Sequence, residues 1–209
     1  MADRSRSASQ PATEKEVAKA DWYGTDLSAS EHTRVAFVDV DMVESHGRGA
    51  LFSECTFRDC RLNSSRLVDA AFLNCTFTSC VFFDAAFVDC KLMGSMFYSC
   101  RFGPIVCEGG DWSFVNLRGA DLRSARLTGV RMREADLAGA RCSGATLRDL
   151  DLSGASLHGI DLERADVRGS DISSLDPAAA KLRGMIVDPD QTMAVALALG
   201  LDVRSTGAP

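Results

Sequence analysis

The chain is predicted to be an all-β solenoid closed by a short C-terminal α-helix, and two rows of residues carry that expectation. Every fifth residue from Phe52 to Ile172 is Leu, Phe, Met, Trp, Cys, Val or Ile, without a break in phase. Two residues before these, a second row is small: Ala50, Cys55, Cys60, Ser65, Ala70, Cys75, Cys80, Ala85, Cys90, Ser95 and Cys100, then Ala120, Ala125, Ala135, Ala140, Ala145, Ala155 and Ala165. A five-residue period fits neither the 3.6 of a helix nor the 2 of a flat strand, so each unit forms one side of a coil that keeps turning in one direction. The alternation of small, polar and large aims two side chains inward from every side. Close packing penalises both extra and missing methylenes, which explains why the rule is kept so strictly.

The elements follow in order. Residues 1–20, MADRSRSASQPATEKEVAKA, read as a mobile polar tail with a short helix near Glu14–Ala20 and without the apolar stretch of a secretory leader. Residues 21–187 are assigned to the coils. Gly47 takes a large-row position in ESHGRGA, which predicts a bulge or bend. Pro104 in RFGPIV removes a backbone donor from the middle of the rod and predicts a kink. Pro177 ends the regular row, although Leu182 and Val187 return to phase. Residues 188–209 form a helix and tail, with Asp188 as N-cap, Pro189 at N1 and Gly200 at the stop. The helix covers the open strand edges of the last coil. Its Met193, Val195, Ala196, Leu197 and Leu199 surround more of it than one coil can bury, leaving a second apolar face.

The units VNLRGADLRSARLTG, ADLAGA and GASLHGIDLERADVRGSDI resemble those of pentapeptide-repeat proteins, over roughly residues 26–187. The resemblance implies a right-handed quadrilateral β-helix with four pentapeptides to the coil. Residues twenty apart then stack, with Phe57, Phe77 and Phe97 in one ladder and Cys60, Cys80 and Cys100 in another. The segments KLMGSMFYSCRFGP, NLRGADLRSARLTGVRMREADLAG and VDPDQTMAVALALGL resemble the mycobacterial fluoroquinolone-resistance branch of that family. That likeness implies a homodimer joined through Met193, Val195, Ala196, Leu197 and Leu199, and a partner, DNA gyrase, a type II topoisomerase.

Composition adds limits. No run of eighteen apolar residues could span a membrane. The net charge is -6. Six of the eight cysteines fall in the small row, and Cys107 and Cys142 replace large inward residues, so they read as buried core thiols. His32, His46 and His158 are scattered and zinc spacing is absent, so no metal or other cofactor is expected. Reduced thiols suit a cytoplasmic location. A filled, convex rod offers no concave pocket, so neither enzymatic activity nor a small-molecule substrate is expected. Asp121, Asp136, Asp151, Asp161, Asp166 and Asp171 sit beside large inward residues and read as turn hydrogen-bonders.

Function is therefore sought in outward charge. Asp39, Glu44, Glu54, Asp59, Asp69, Asp84 and Asp89 each lie two residues after a large-row position and read as one repeated outward rung. From Asp39 to Asp111 there are ten acids and six bases, whereas Trp112–Ile172 holds nine of each. This pattern suggests an acidic surface that stands in for DNA and meets a basic DNA-binding face, with no direct binding to nucleic acid. A repeat scaffold for another protein partner is the alternative.

Overall fold

The computed structural model describes residues 10–204, so positions 1–9 of the expected tail and 205–209 lie outside the described residues. The chain winds as a right-handed parallel β-helix with four faces and twenty residues to the coil. One face stacks Lys15–Ala18, Val35–Val38, Thr56–Arg58, Thr76–Thr78 and Met96–Tyr98. A second stacks six strands from His46–Arg48 to Thr146–Arg148, and a third stacks Glu31–Thr33, Leu51–Ser53 and Ala71–Leu73. The fourth is a column of single bridges: Asp21, Asp41, Arg61, Val81 and Arg101, then Asp121, Arg141, Asp161 and Lys181.

The two rows occupy the interior as expected. Every large-row position from Phe52 to Ile172 is buried, including Cys107 and Cys142. Phe57, Phe77 and Phe97 stack with ring centroids 4.6 and 4.8 Å apart, and Phe37 extends the ladder at 4.8 Å from Phe57. All eight cysteines are free thiols, and among the described residues no three His, Cys, Asp or Glu side chains gather as metal ligands. Small-row groups reach back one coil. The Ser95 hydroxyl donates to the Phe72 carbonyl at 2.8 Å, and the Cys75 thiol approaches the Phe52 carbonyl at 3.4 Å. The row thus pairs carbonyls as well as filling space.

Corners explain the second half of each repeat. The residue two after the large position takes positive φ, from Asp39 at 53° through Asp59 at 56° to Glu134 at 53°. This left-handed conformation costs a typical L-residue roughly 1–2 kcal/mol, less for Asp and Asn, and nothing for Gly. Polar residues hold these corners in the N-terminal half, and glycines such as Gly119, Gly129, Gly139, Gly144 and Gly159 hold many of the later ones. Where an Asp precedes the large residue, its side chain accepts the amide two residues on. Asp121, Asp136, Asp151, Asp161, Asp166 and Asp171 all make this turn bond, as expected.

Two expectations are corrected. The coils begin at Lys15 rather than residue 21, because Lys15–Ala18 pairs in parallel with Val35–Val38 and Val17 packs on the core; the segment near Glu14–Ala20 is a strand, not a helix. Val17, Trp22, Leu27, His32, Phe37 and Met42 continue the large row in phase. Gly47 makes no bulge. Its strand stays in register with Arg66–Val68, and the missing side chain admits the preceding coil: a Cβ there would lie 2.7 Å from the Ser28 amide nitrogen.

Pro104 acts on one face. Three faces pass it in register through Lys91–Asp111, Met96–Asn116 and Val106–Arg126, but the column of single bridges stops at Arg101 and resumes at Asp121. Proline supplies no amide for Arg123, and the Gly103 carbonyl is taken by the Ile105 amide at 2.9 Å. The predicted kink is a one-sided opening. Beyond Pro177 the register returns at Lys181 and Ile186.

The helix Pro189–Ala198 closes the end. Asp188 and Gln191 form a reciprocal capping box, and the buried Gln191 amide donates to the Val167 and Ser170 carbonyls, each at 2.7 Å. Those bonds satisfy carbonyls at the last coil's open edge. Among the described residues no helix is long and apolar enough to cross a membrane.

Candidate partner-binding surface

The seven acids chosen from the sequence are corner residues, and all have positive φ. They do not form one stripe, which corrects the single-rung expectation: a five-residue register recurs on all four sides, and only residues twenty apart share a corner. Asp39 and Asp59 stack on one corner, and Asp69 and Asp89 on a second. Glu44 and Asp84 share a third with Ser64 between them, and Glu54 stands on the fourth beside Asn74.

Six of the seven are exposed and Asp84 is half-buried. Asp69 is paired with Arg48, and Asp84 with Arg66 at 2.8 Å. The Arg66 guanidinium, helped by the Ser64 hydroxyl, holds the Asp84 carboxyl below the usual carboxylate range. Among the described residues Asp39, Glu44, Glu54, Asp59 and Asp89 have no ion-pair partner. Tyr23, which the sequence did not single out, sits against Glu44, and that carboxylate raises the pKa of the phenol.

The C-terminal half differs. Many of its aspartates are engaged with arginines along and between coils, Arg118 with Asp136, Arg123 and Arg141 with Asp121, Arg131 with Asp111, Arg133 with Asp151, and Arg168 with Asp166, while Glu134, Asp149, Glu163 and Asp171 stand outside these ion pairs. Net negative charge is thus concentrated toward the N-terminal coils, where acids outnumber bases ten to six from Asp39 to Asp111. From Asp39 to Asp89 is about two and a half coils, or about 12 Å at about 4.8 Å per coil, over which duplex DNA carries about seven phosphate charges. The gross number of corner carboxylates equals that figure, and the unpaired ones come to about two-thirds of it.

On the terminal helix Met193, Leu197 and Leu199 are 48%, 57% and 55% exposed, while Val195 and Ala196 are half-buried, Val195 against the last coil. Leu201 and Val203 extend the apolar surface. The interior holds a slender void of about 20 Å³ lined by Leu, Met, Ile, Val and Cys side chains, with no titratable carboxylate or imidazole on it.

Fold, register and turn chemistry together define the class: a β-helix of the pentapeptide-repeat kind. The family profile described as Pentapeptide repeats matches eight copies over residues 106–139 and 131–169, and the profile of the SV2A/B/C luminal domain matches residues 14–102. The pentapeptide repeat protein MfpA of Mycobacterium tuberculosis is similar to this chain, 39% identical over 99 residues, 47% of this chain and 54% of that protein. The chain spans about half the length of that curated relative. Among solved structures, QnrB1, a plasmid-mediated fluoroquinolone resistance protein, overlays with TM-score 0.45 at 14% identity, covering 90% of this chain and 99% of that one. HetL of the cyanobacterium Nostoc, involved in heterocyst differentiation regulation, overlays with TM-score 0.30 at 20% identity, covering 85% and 87%.

Proposed function

We propose that this chain is a non-enzymatic, cytoplasmic DNA mimic of the quinolone-resistance kind. As a homodimer it binds DNA gyrase, a type II topoisomerase, and competes with DNA for the enzyme's basic surface. The observation that carries this reading is the group of five exposed corner carboxylates without ion-pair partners, Asp39, Glu44, Glu54, Asp59 and Asp89, on a rigid rod whose other half is charge-balanced. The likeness to MfpA supports the same reading. A basic DNA-binding surface attracts such a face over roughly a Debye length, which raises the association rate. The dimer joins through the exposed Met193, Leu197 and Leu199 of the terminal helix, with Val195 and Ala196 at its inner edge.

A supercoiling assay with purified gyrase tests this. The wild-type chain is expected to inhibit supercoiling and to reduce quinolone-stabilised cleavage. Unchanged activity at a large molar excess contradicts the proposal.

One observation favours the second reading, a scaffold for another protein. Aspartate tolerates the left-handed corner conformation better than most residues, so corner acids satisfy the fold whether or not a partner reads them.

A further inference from the structure

The break in the bridge column beside Pro104 opens a cleft of about 490 Å³ lined by Cys100, Arg101, Phe102, Gly103, Asp121, Arg123, Ser124 and Arg141. We infer that this cleft is a binding site for a phosphate-class dianion, either free phosphate or the terminal phosphate of a small organic phosphate.

The argument begins with the register. Elsewhere on this face an arginine twenty residues from an aspartate pairs with it, as Arg61 does with Asp41 and Arg141 with Asp121. Arg101 stands twenty residues before Asp121 and would complete a third such pair, but the opened ladder holds the two coils apart. Among the described residues Arg101 has no carboxylate partner. Three guanidinium groups therefore line the cleft against one carboxylate, an excess of about two positive charges, and a phosphomonoester carries about -1.5 to -2 at neutral pH.

The backbone agrees. Where the column is intact, the amides flanking each bridge cross to the neighbouring coil: Phe82 donates to Arg101 at 2.8 Å, and Leu122 to Arg141 at 2.8 Å. The amides of Phe102 and Asp121, on either side of the break, make no such cross-coil bond, and both residues line the cleft. Guanidinium forks and free amides are the two donor types that hold phosphate oxygens. Asp121 sets the orientation of the wall. It accepts from Arg123 at 2.7 Å and from Arg141 at 3.0 Å, and the Arg123 guanidinium foremost keeps its carboxyl ionised below the ordinary range. Just outside, Phe83, 56% exposed, lies over Gly103. It is an aromatic face against which the organic part of a larger phosphate could rest.

Calorimetric titration of the full-length chain at low ionic strength tests the site, with inorganic phosphate in one arm and adenosine monophosphate in the other. Saturable binding of one ion per chain is expected. Arg101→Gln should weaken it at least about tenfold by removing the unpaired fork, and Asp121→Asn should tighten it several-fold by removing the competing carboxylate. Arg118→Gln, on another face and paired with Asp136, should bind as wild type does. Equal affinity in the two arms assigns the site to phosphate alone, and tighter binding of the nucleotide assigns it to an organic phosphate. Absence of saturable heat for both probes at about 10 mM overturns the inference, since that is weaker than even millimolar affinity. Equal losses in Arg101→Gln and Arg118→Gln, or an Asp121→Asn chain that binds no more tightly than wild type, also overturn it. The gain expected for Asp121→Asn keeps the test valid should Arg101→Gln fail to fold.

Discussion

Phe77 lies between Phe57 and Phe97, 4.6 and 4.8 Å away, and is buried. Phe77→Ala should open a cavity costing about 3–5 kcal/mol in denaturant unfolding, against under about 0.5 kcal/mol for the exposed His158→Ala. Equal losses would contradict the register. The small row is tested at Gly110, where a Cβ would lie 2.1 Å from the Cys90 carbonyl oxygen, so Gly110→Ala forces backbone movement costing about 1–3 kcal/mol by the same measurement. At this scale the sequence was highly legible, because a row of interior residues with a fixed period states its own burial. It was less legible before Phe52: His32 and Gly47 interrupt the row that runs from Val17 to Gly47, and the coils begin at Lys15, six residues before the assigned start. In the structure His32 is packed as an aromatic, its ring centroid 5.0 Å from that of Phe52, and Gly47 makes room for the Leu27–Ser28 backbone.

Among the elements, the terminal helix is anchored by one side chain. Gln191→Ala leaves the Val167 and Ser170 carbonyls without their donor, and should cost about 1–3 kcal/mol and release the helix, read as faster amide exchange over Pro189–Ala198. Unchanged exchange there would show that apolar contacts alone hold it. Leu197→Asp places a charge on the exposed apolar side and should give monomers by light scattering with the β-sheet signal intact; a wild-type chain already monomeric at micromolar concentration contradicts the proposed dimer. Helix ends, cap and stop were legible because Asp188, Pro189 and Gly200 each have a local physical role. The one-sided opening at Pro104 was legible only as a disturbance. Which face opens depends on which coil neighbour loses its donor, and a proline names itself but not its partner, here Arg123. The corner acids show the same limit: the register assigns each acid to a corner position, but the fourfold winding distributes them over four corners.

For the whole molecule, the account rests on negative charge that is displayed rather than neutralised. A rigid repeat rod keeps the corner carboxylates at spacings set by the coil, with no ordering cost on binding, so association should be fast and governed by electrostatics. The most direct measurement is the association rate for purified gyrase as a function of salt, with linear duplex DNA as competitor, for the wild type and a chain carrying Asn or Gln at the unpaired Asp39, Glu44, Glu54, Asp59 and Asp89. The account predicts wild-type binding that slows as salt rises, displacement by DNA, and a neutralised chain that folds normally but associates at least about tenfold more slowly. Binding that ignores salt, survives excess DNA and tolerates all five replacements would contradict it.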